Sequence, residues 1–173
     1  MGLYILTFCR IVIGLVFAWS FVSKVRNTSA FLQTIRQFQI LSARLTRPVG
    51  YLFLFGEIAV ALSMVVGNKL LSWGFLLGTF LLTLFCVALS SVLLRKVETS
   101  CNCFGASRSP VSYFDLVRNI GLIGCSLGGY SALTATRTSL AFFSWPDNIL
   151  VILAATVFVV LWVQLGEIVR LFR

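Results

Sequence analysis

Apolar residues in this chain fall into five long runs, and most polar residues fall between them. The runs cover about 3–22, 49–66, 70–94, 113–133 and 148–172. Each is long enough to cross a bilayer as a helix, which takes about 20 residues. Residues 25–47 follow another pattern. Phe31, Leu32, Ile35, Phe38, Ile40 and Leu41 recur at roughly helical spacing, Arg26, Arg36, Arg44 and Arg47 interleave with them just after Lys24, and no acidic residue occurs. That pattern predicts an amphipathic helix lying in the membrane interface or folded over the bundle as a cap. Pro48 then opens the second span, a position where a helix tolerates proline. The other long connection is the loop 95–112, and counting spans places it on the same membrane side as 25–47. The expected fold is an all-α integral membrane protein. It is a single membrane domain over 1–173, with a bundle of four core transmembrane helices plus a fifth C-terminal span. The amphipathic segment follows the first helix. Gly74-x-x-x-Gly78 and Gly124-x-x-x-Gly128 offer small faces for helix packing. The first run has no basic residue ahead of its apolar core and no small-x-small cleavage site, so it is expected to stay in the mature chain.

Composition supports the bilayer as solvent. Of the 173 residues, 59% are hydrophobic and 11% charged, against about 45–50% and 25% in soluble domains. This excludes an ordinary soluble protein and a disordered one. The net charge is +9, but the basic residues flank apolar runs. They therefore point to lipid headgroups and topology rather than to nucleic acid. Histidine is absent, which removes haem and zinc sites built on imidazole and any mechanism with a histidine base.

Cysteine is then the most reactive residue type. Cys101-Asn102-Cys103 is the sharpest element. Cα atoms two residues apart lie roughly 5.5–7 Å from each other, which overlaps the range of about 4.4–6.8 Å that a disulfide tolerates. A bridge there closes a small strained ring, and strained, exposed disulfides are the ones that exchange. Arg95, Lys96 and Arg108 favour the thiolate, Gly105 allows unusual backbone geometry, and Phe104 can cover the bridge or dock a ring. A plain structural loop is the competing reading; two thiolates alone make a poor closed zinc site. Cys9, Cys86 and Cys125 lie in apolar runs and read first as small buried hydrophobes, with a relay between Cys86 and Cys125 as the functional alternative.

Charges inside spans need partners. Glu57 and Arg118 sit at compatible depths below the face that carries the Cys pair, and Arg10 is a second candidate partner for Glu57. The pair either holds helices together or, with Asn119, orients a polar ligand head or relays a proton. Ser109-Pro110, or Ser112 with Asp115, marks the start of the fourth span. Asp115 there complements the helix dipole. Aromatic residues near the same face form an interfacial belt or line a slot for a quinone.

Taken together, these residues resemble the methylamine utilisation protein MauE family, within the wider DoxX-like group. The resemblance rests on Ser23-Lys24 with Phe31 after it, Glu57, Cys101-Asn102-Cys103-Phe104-Gly105 and Arg118-Asn119, across roughly residues 10–130. The family pattern is usually Cys-Gly-Cys-Phe-Gly, so Asn102 departs from it. The resemblance implies a membrane thiol–disulfide oxidoreductase in the bacterial cytoplasmic membrane. It would act beside a thioredoxin-like partner in forming disulfides or maturing exported proteins, with Cys101 and Cys103 as the reactive pair. Glu57, Arg118, Asn119 and Phe104 would be contacts for a quinone carrier. The plan also resembles that of the vitamin K epoxide reductase family, whose motif is Cys-x-x-Cys. A noncatalytic subunit or assembly factor of a larger membrane complex is the alternative from another class. Flanking Lys and Arg place the Cys pair in the cytoplasm by the positive-inside rule, whereas the implied chemistry needs it on the outer face.

Overall fold

The computed structural model describes residues 2–37, 43–67, 69–95, 113–136 and 145–164, and all regular structure among them is helical. The helices are α1 (Gly2–Arg26), α2 (Thr28–Gln37), α3 (Ala43–Val66), α4 (Leu70–Leu94), α5 (Tyr113–Thr136) and α6 (Trp145–Val163). Among the described residues, three helical stretches, Gly2–Arg26, Leu45–Val66 and Leu70–Leu94, are long and apolar enough to cross a membrane, and α6 contributes a shorter apolar stretch, Ile149–Val163. Their outward faces are as apolar as the buried ones. Trp73 is 71% exposed and Leu94 84%, which is stable only where the solvent is lipid.

α1 is the central helix, packed against α3, α5 and α6, while α4 joins α3 to α5. Val12, Ile13 and Val16 of α1 are buried with Val60 of α3, Phe75 of α4 and Leu122 of α5. The α3–α4 turn is made by Gly67, whose φ of +72° lies in the left-handed region and which ends α3 as glycine commonly does. Ser126, fully buried on α5, donates a 3.0 Å hydrogen bond to the Phe75 carbonyl of α4. α6 docks through aromatic residues. Phe158 meets Phe8 of α1 edge-on at 5.5 Å and stacks on Trp162 at 5.2 Å.

Three element boundaries differ from expectation. α1 runs through Arg26 rather than ending near residue 22, so Lys24 belongs to the bundle and not to the amphipathic segment. α3 begins at Ala43, which puts Pro48 in the second turn of the helix, where its ring removes one backbone hydrogen bond and crowds the carbonyl of the residue four before it. The amphipathic helix is therefore the shorter α2. It packs mainly on α3, with Leu32 and Ile35 closing on Gly50 and Phe31 buried. This is the cap arrangement rather than a free interfacial helix.

The glycine faces divide as well. Gly74 and Gly78 are packed, against Ser63 and Met64 and against Phe17 and Val60. Gly124 and Gly128 have nothing within 4 Å of an added Cβ among the described residues. On α5 it is Gly121, under Trp162, and Gly129, under Phe75 and Cys9, that admit neighbours. A Cβ at Gly129 would lie 2.6 Å from the Phe75 ring and 2.9 Å from Cys9 Cβ. Gly129→Ala is therefore expected to lower stability by about 1–3 kcal/mol through overpacking. Gly128→Ala should be neutral or gain up to about 1 kcal/mol from helix propensity. Thermal unfolding in detergent checks both, and equal losses at the two positions would refute this packing.

Candidate functional site

Four helices converge on one buried charge cluster. Ser20 and Lys24 stand one turn apart on α1, Glu57 comes from α3, and Asn119 comes from α5, with Phe85 of α4 beside them. Lys24 and Glu57 are each only 2% exposed. The Lys24 ammonium pairs with Glu57 Oε1 and donates to Ser20 Oγ at 2.9 Å. Ser20 Oγ donates in turn to Glu57 Oε1 at 2.9 Å. Glu57 Oε2 is buried with no hydrogen-bond partner among the described residues.

Three aromatic rings face the ammonium. Its nitrogen lies 4.9 Å from the Phe53 ring centre, 5.3 Å from Phe31 and 5.9 Å from Phe85. Their faces carry negative electrostatic potential and offset part of the cost of burying the cation. Phe31 comes from α2, so the amphipathic cap closes the cluster. Phe53 stands one turn before Glu57 on α3, which puts ring and carboxylate on one face. A cavity of about 20 Å³ remains between Glu57, Lys24, Ser20, Asn119, Phe53 and Phe85. That is room for one water molecule, which needs about 10–15 Å³ by this measure.

The structure changes the expected pairing of charges. Arg118 does not meet Glu57. Its Nη2 lies 3.3 Å from Asp115 Oδ1, one turn back on α5, and its Nη1 donates to the Val163 carbonyl of α6 at 3.4 Å. Adjacent helical residues point about 100° apart, so Arg118 and Asn119 cannot both face Glu57. Asn119 takes that side, lining the cavity with its Nδ2 donating to the Asp115 carbonyl at 2.7 Å. Arg10 does not reach Glu57 either. Its Nε and Nη2 donate to the Met64 and Val65 carbonyls at 2.6 and 2.9 Å. The last carbonyls of a helix attract cations, and Glu57 lies about 10 Å back along α3 from Met64. Asp115 stands in the first turn of α5 as expected and also neutralises Arg118.

Lys24 and Ser20 are the site residues that the hydropathy pattern missed. The available signal was the four-residue spacing of Ser20 and Lys24 at the end of an apolar helix. Cys101, Cys103 and Phe104, with the helix-start residues Ser109, Pro110 and Ser112, lie outside the described residues. Cys9 belongs to the buried core and Cys125 is half-buried.

This geometry falls within a recognisable sequence family. The chain matches the family model for the methylamine utilisation protein MauE over residues 3–134. The chain belongs to the MauE family. A relative, the methylamine utilization protein MauE of Paracoccus denitrificans, is 30% identical over 128 residues, covering 73% of this chain and 68% of the relative. No solved structure matches the chain. The MauE match spans α1 to α5 and ends before α6, so Ser20, Lys24, Glu57 and Asn119 all lie within it.

Proposed function

We propose that this membrane protein is a thiol–disulfide oxidoreductase in which Cys101 and Cys103 alternate between dithiol and disulfide, on the outer face of the membrane. A thiolate of a thioredoxin-like partner attacks one sulfur of the disulfide, the other sulfur leaves as a thiolate, and the partner's second thiolate then displaces this chain from the mixed disulfide, so the partner gains the disulfide and this chain the dithiol; the reverse sequence with an oxidised partner restores the pair. The observation that carries the proposal is the buried Lys24–Glu57 pair beside Asn119. It lies at the end of the bundle where α4 finishes and α5 begins. The connection between these two helices contains both cysteines.

A pair of opposite charges this deep needs a reason beyond stability, because apolar residues of similar volume often hold a core as well. Thiol exchange supplies one. In that exchange each attacking thiol gives up a proton and each leaving thiolate takes one, and Glu57, whose Oε2 has no hydrogen-bond partner among the described residues, is a carboxylate that can hold such a proton in this reading. The small cavity beside Glu57 has room for a water. The name of the Paracoccus relative ties that protein to methylamine utilization; for this chain we propose a supporting role in maturing exported proteins.

Trapping tests the reading. Cys101→Ala and Cys103→Ala, made singly, are each mixed with a thioredoxin-like protein that lacks its resolving cysteine and carries its remaining sulfur as a mixed disulfide with thionitrobenzoate, so that the surviving cysteine displaces that anion. One of the two variants is expected to accumulate a reducible mixed disulfide. If neither does so in folded protein, the exchange reading fails and a noncatalytic subunit takes its place.

A further inference from the structure

Cations set among the apolar residues of the helices are not all neutralised in the same way. Lys24 pairs with Glu57, and Arg118 with Asp115. Arg10 of α1 forms no ion pair among the described residues. A guanidinium carries five N–H donors. Arg10 spends two of them on the Met64 and Val65 carbonyls at the end of α3, at 2.6 and 2.9 Å. Those carbonyls hold the group in place but carry no net charge. Its Nη1 donates to nothing among the described residues. A cation in that state is costly beside hydrocarbon and calls for an anion.

Arg10 stands at one end of an open groove of about 580 Å³ between α1 and α3. Small residues make the space: Gly14 and Ala18, one turn apart on α1, and Ala61 on α3. Leu15, Ile58 and Leu62 flank it. Leu15 and Leu62 are exposed, so the groove opens toward the lipid that the outward faces require. The eight residues from Arg10 to Ala18 span about 12 Å of α1. The charged end lies where α3 turns into α4. Arg10 packs against Gly67 of that turn, where an added Cβ would lie 3.0 Å from its Nη2. Lys69, a second cation, is exposed just beyond. The groove thus has a cationic head beside a helix turn and an apolar body running inward. It shares no residue with the cavity beside Glu57.

We propose that Arg10 and this groove bind one anionic phospholipid. A phosphate oxygen accepts from Nη1 of Arg10, because the guanidinium fork suits phosphate, and one acyl chain lies along Gly14, Ala18 and Ala61. Head and body together select a lipid over a soluble phosphate ester, which would leave the apolar part empty. They also select an anionic lipid over a zwitterionic one, whose own ammonium competes with Arg10 for the phosphate. Basic pockets between membrane helices hold anionic headgroups in this way.

The proposal stands apart from the thiol-exchange reading and is tested without it. The full chain, stripped of lipid in an uncharged maltoside detergent, is titrated with dioleoylphosphatidylglycerol or dioleoylphosphatidylcholine. Native mass spectrometry counts the lipids retained. One phosphatidylglycerol per chain should be held, about tenfold more tightly than phosphatidylcholine, as one charge-assisted hydrogen bond allows. Arg10→Gln should erase the preference, and Arg10→Lys should keep part of it. Arg10 also secures the end of α3, so Ala18→Phe is made in parallel. It fills the groove without touching the guanidinium and should cost retention of phosphatidylglycerol. Thermal unfolding without added lipid identifies the folded variants. Glycerophosphoglycerol, the headgroup without chains, should not compete. Equal retention of the two lipids, a preference that survives Arg10→Gln, or retention untouched by Ala18→Phe would each overturn the proposal. So would competition by the free headgroup, or a lipid-free dimer that covers the groove with a second copy.

Discussion

Lys24→Met is expected to lower stability by about 3–5 kcal/mol, the typical cost of leaving one member of a buried ion pair without the other. Glu57 would then keep a buried carboxylate whose Oε2 has no hydrogen-bond partner among the described residues and whose Oε1 retains Ser20. Glu57→Leu should cost less, because the stranded ammonium still faces Phe31, Phe53 and Phe85, and cation–π contacts offset about 2 kcal/mol or more when desolvated. The double variant, Lys24→Met with Glu57→Leu, should recover most of the loss, since both desolvation costs disappear together. Unfolding of the four proteins in one detergent gives the cycle. Its second readout separates structure from function. If the pair serves thiol exchange, the double variant is folded and inactive. A double variant that is folded and fully active would reduce the cluster to a helix clamp.

That asymmetry between stability and use explains which parts of the protein were legible in the sequence. Apolar runs report where lipid-compatible helices lie, because every side of such a helix must be apolar. The third run and α4 coincide, at residues 70–94. Run ends report only where hydropathy changes, and α1 continues past that point because Lys24 finds its partner inside the protein. A lysine near a helix end looks like an interfacial anchor until the opposing carboxylate is located. Depth alone made Arg118 the first candidate for Glu57 and Arg10 the second. Direction decided against both: Arg118 turns to Asp115 and α6, and Arg10 to the end of α3. Azimuth on a helix follows from contacts among several helices, which linear spacing does not contain. The MauE resemblance did carry part of that information. Lys24, Phe31, Glu57 and Asn119, four of the residues it rests on, meet around one cavity or its aromatic cover.

Replacing Cys101 and Cys103 together by Ser should abolish thiol exchange while leaving thermal unfolding unchanged. The two effects separate for a physical reason. The described core of α1, α3, α4 and α5 packs through residues such as Val12, Val60, Phe75 and Leu122, and the two substitutions leave all of these unchanged. A serine hydroxyl is nearly isosteric with a thiol, but it neither ionises near neutral pH nor forms a disulfide, so the nucleophile is lost outright. Exchange is followed as reduction or oxidation of the thioredoxin-like partner with membranes as catalyst, and the fold is followed by unfolding of the same preparation. Cys86→Ala serves as the comparison, since Cys86 sits on α4 outside the proposed exchange pair; it should exchange at the unaltered rate. An unimpaired double-serine protein would refute the oxidoreductase and leave the Lys24–Glu57 pair to be explained by assembly. A double-serine protein that loses exchange yet unfolds as before ties the chemistry to the loop and leaves the buried pair as its support.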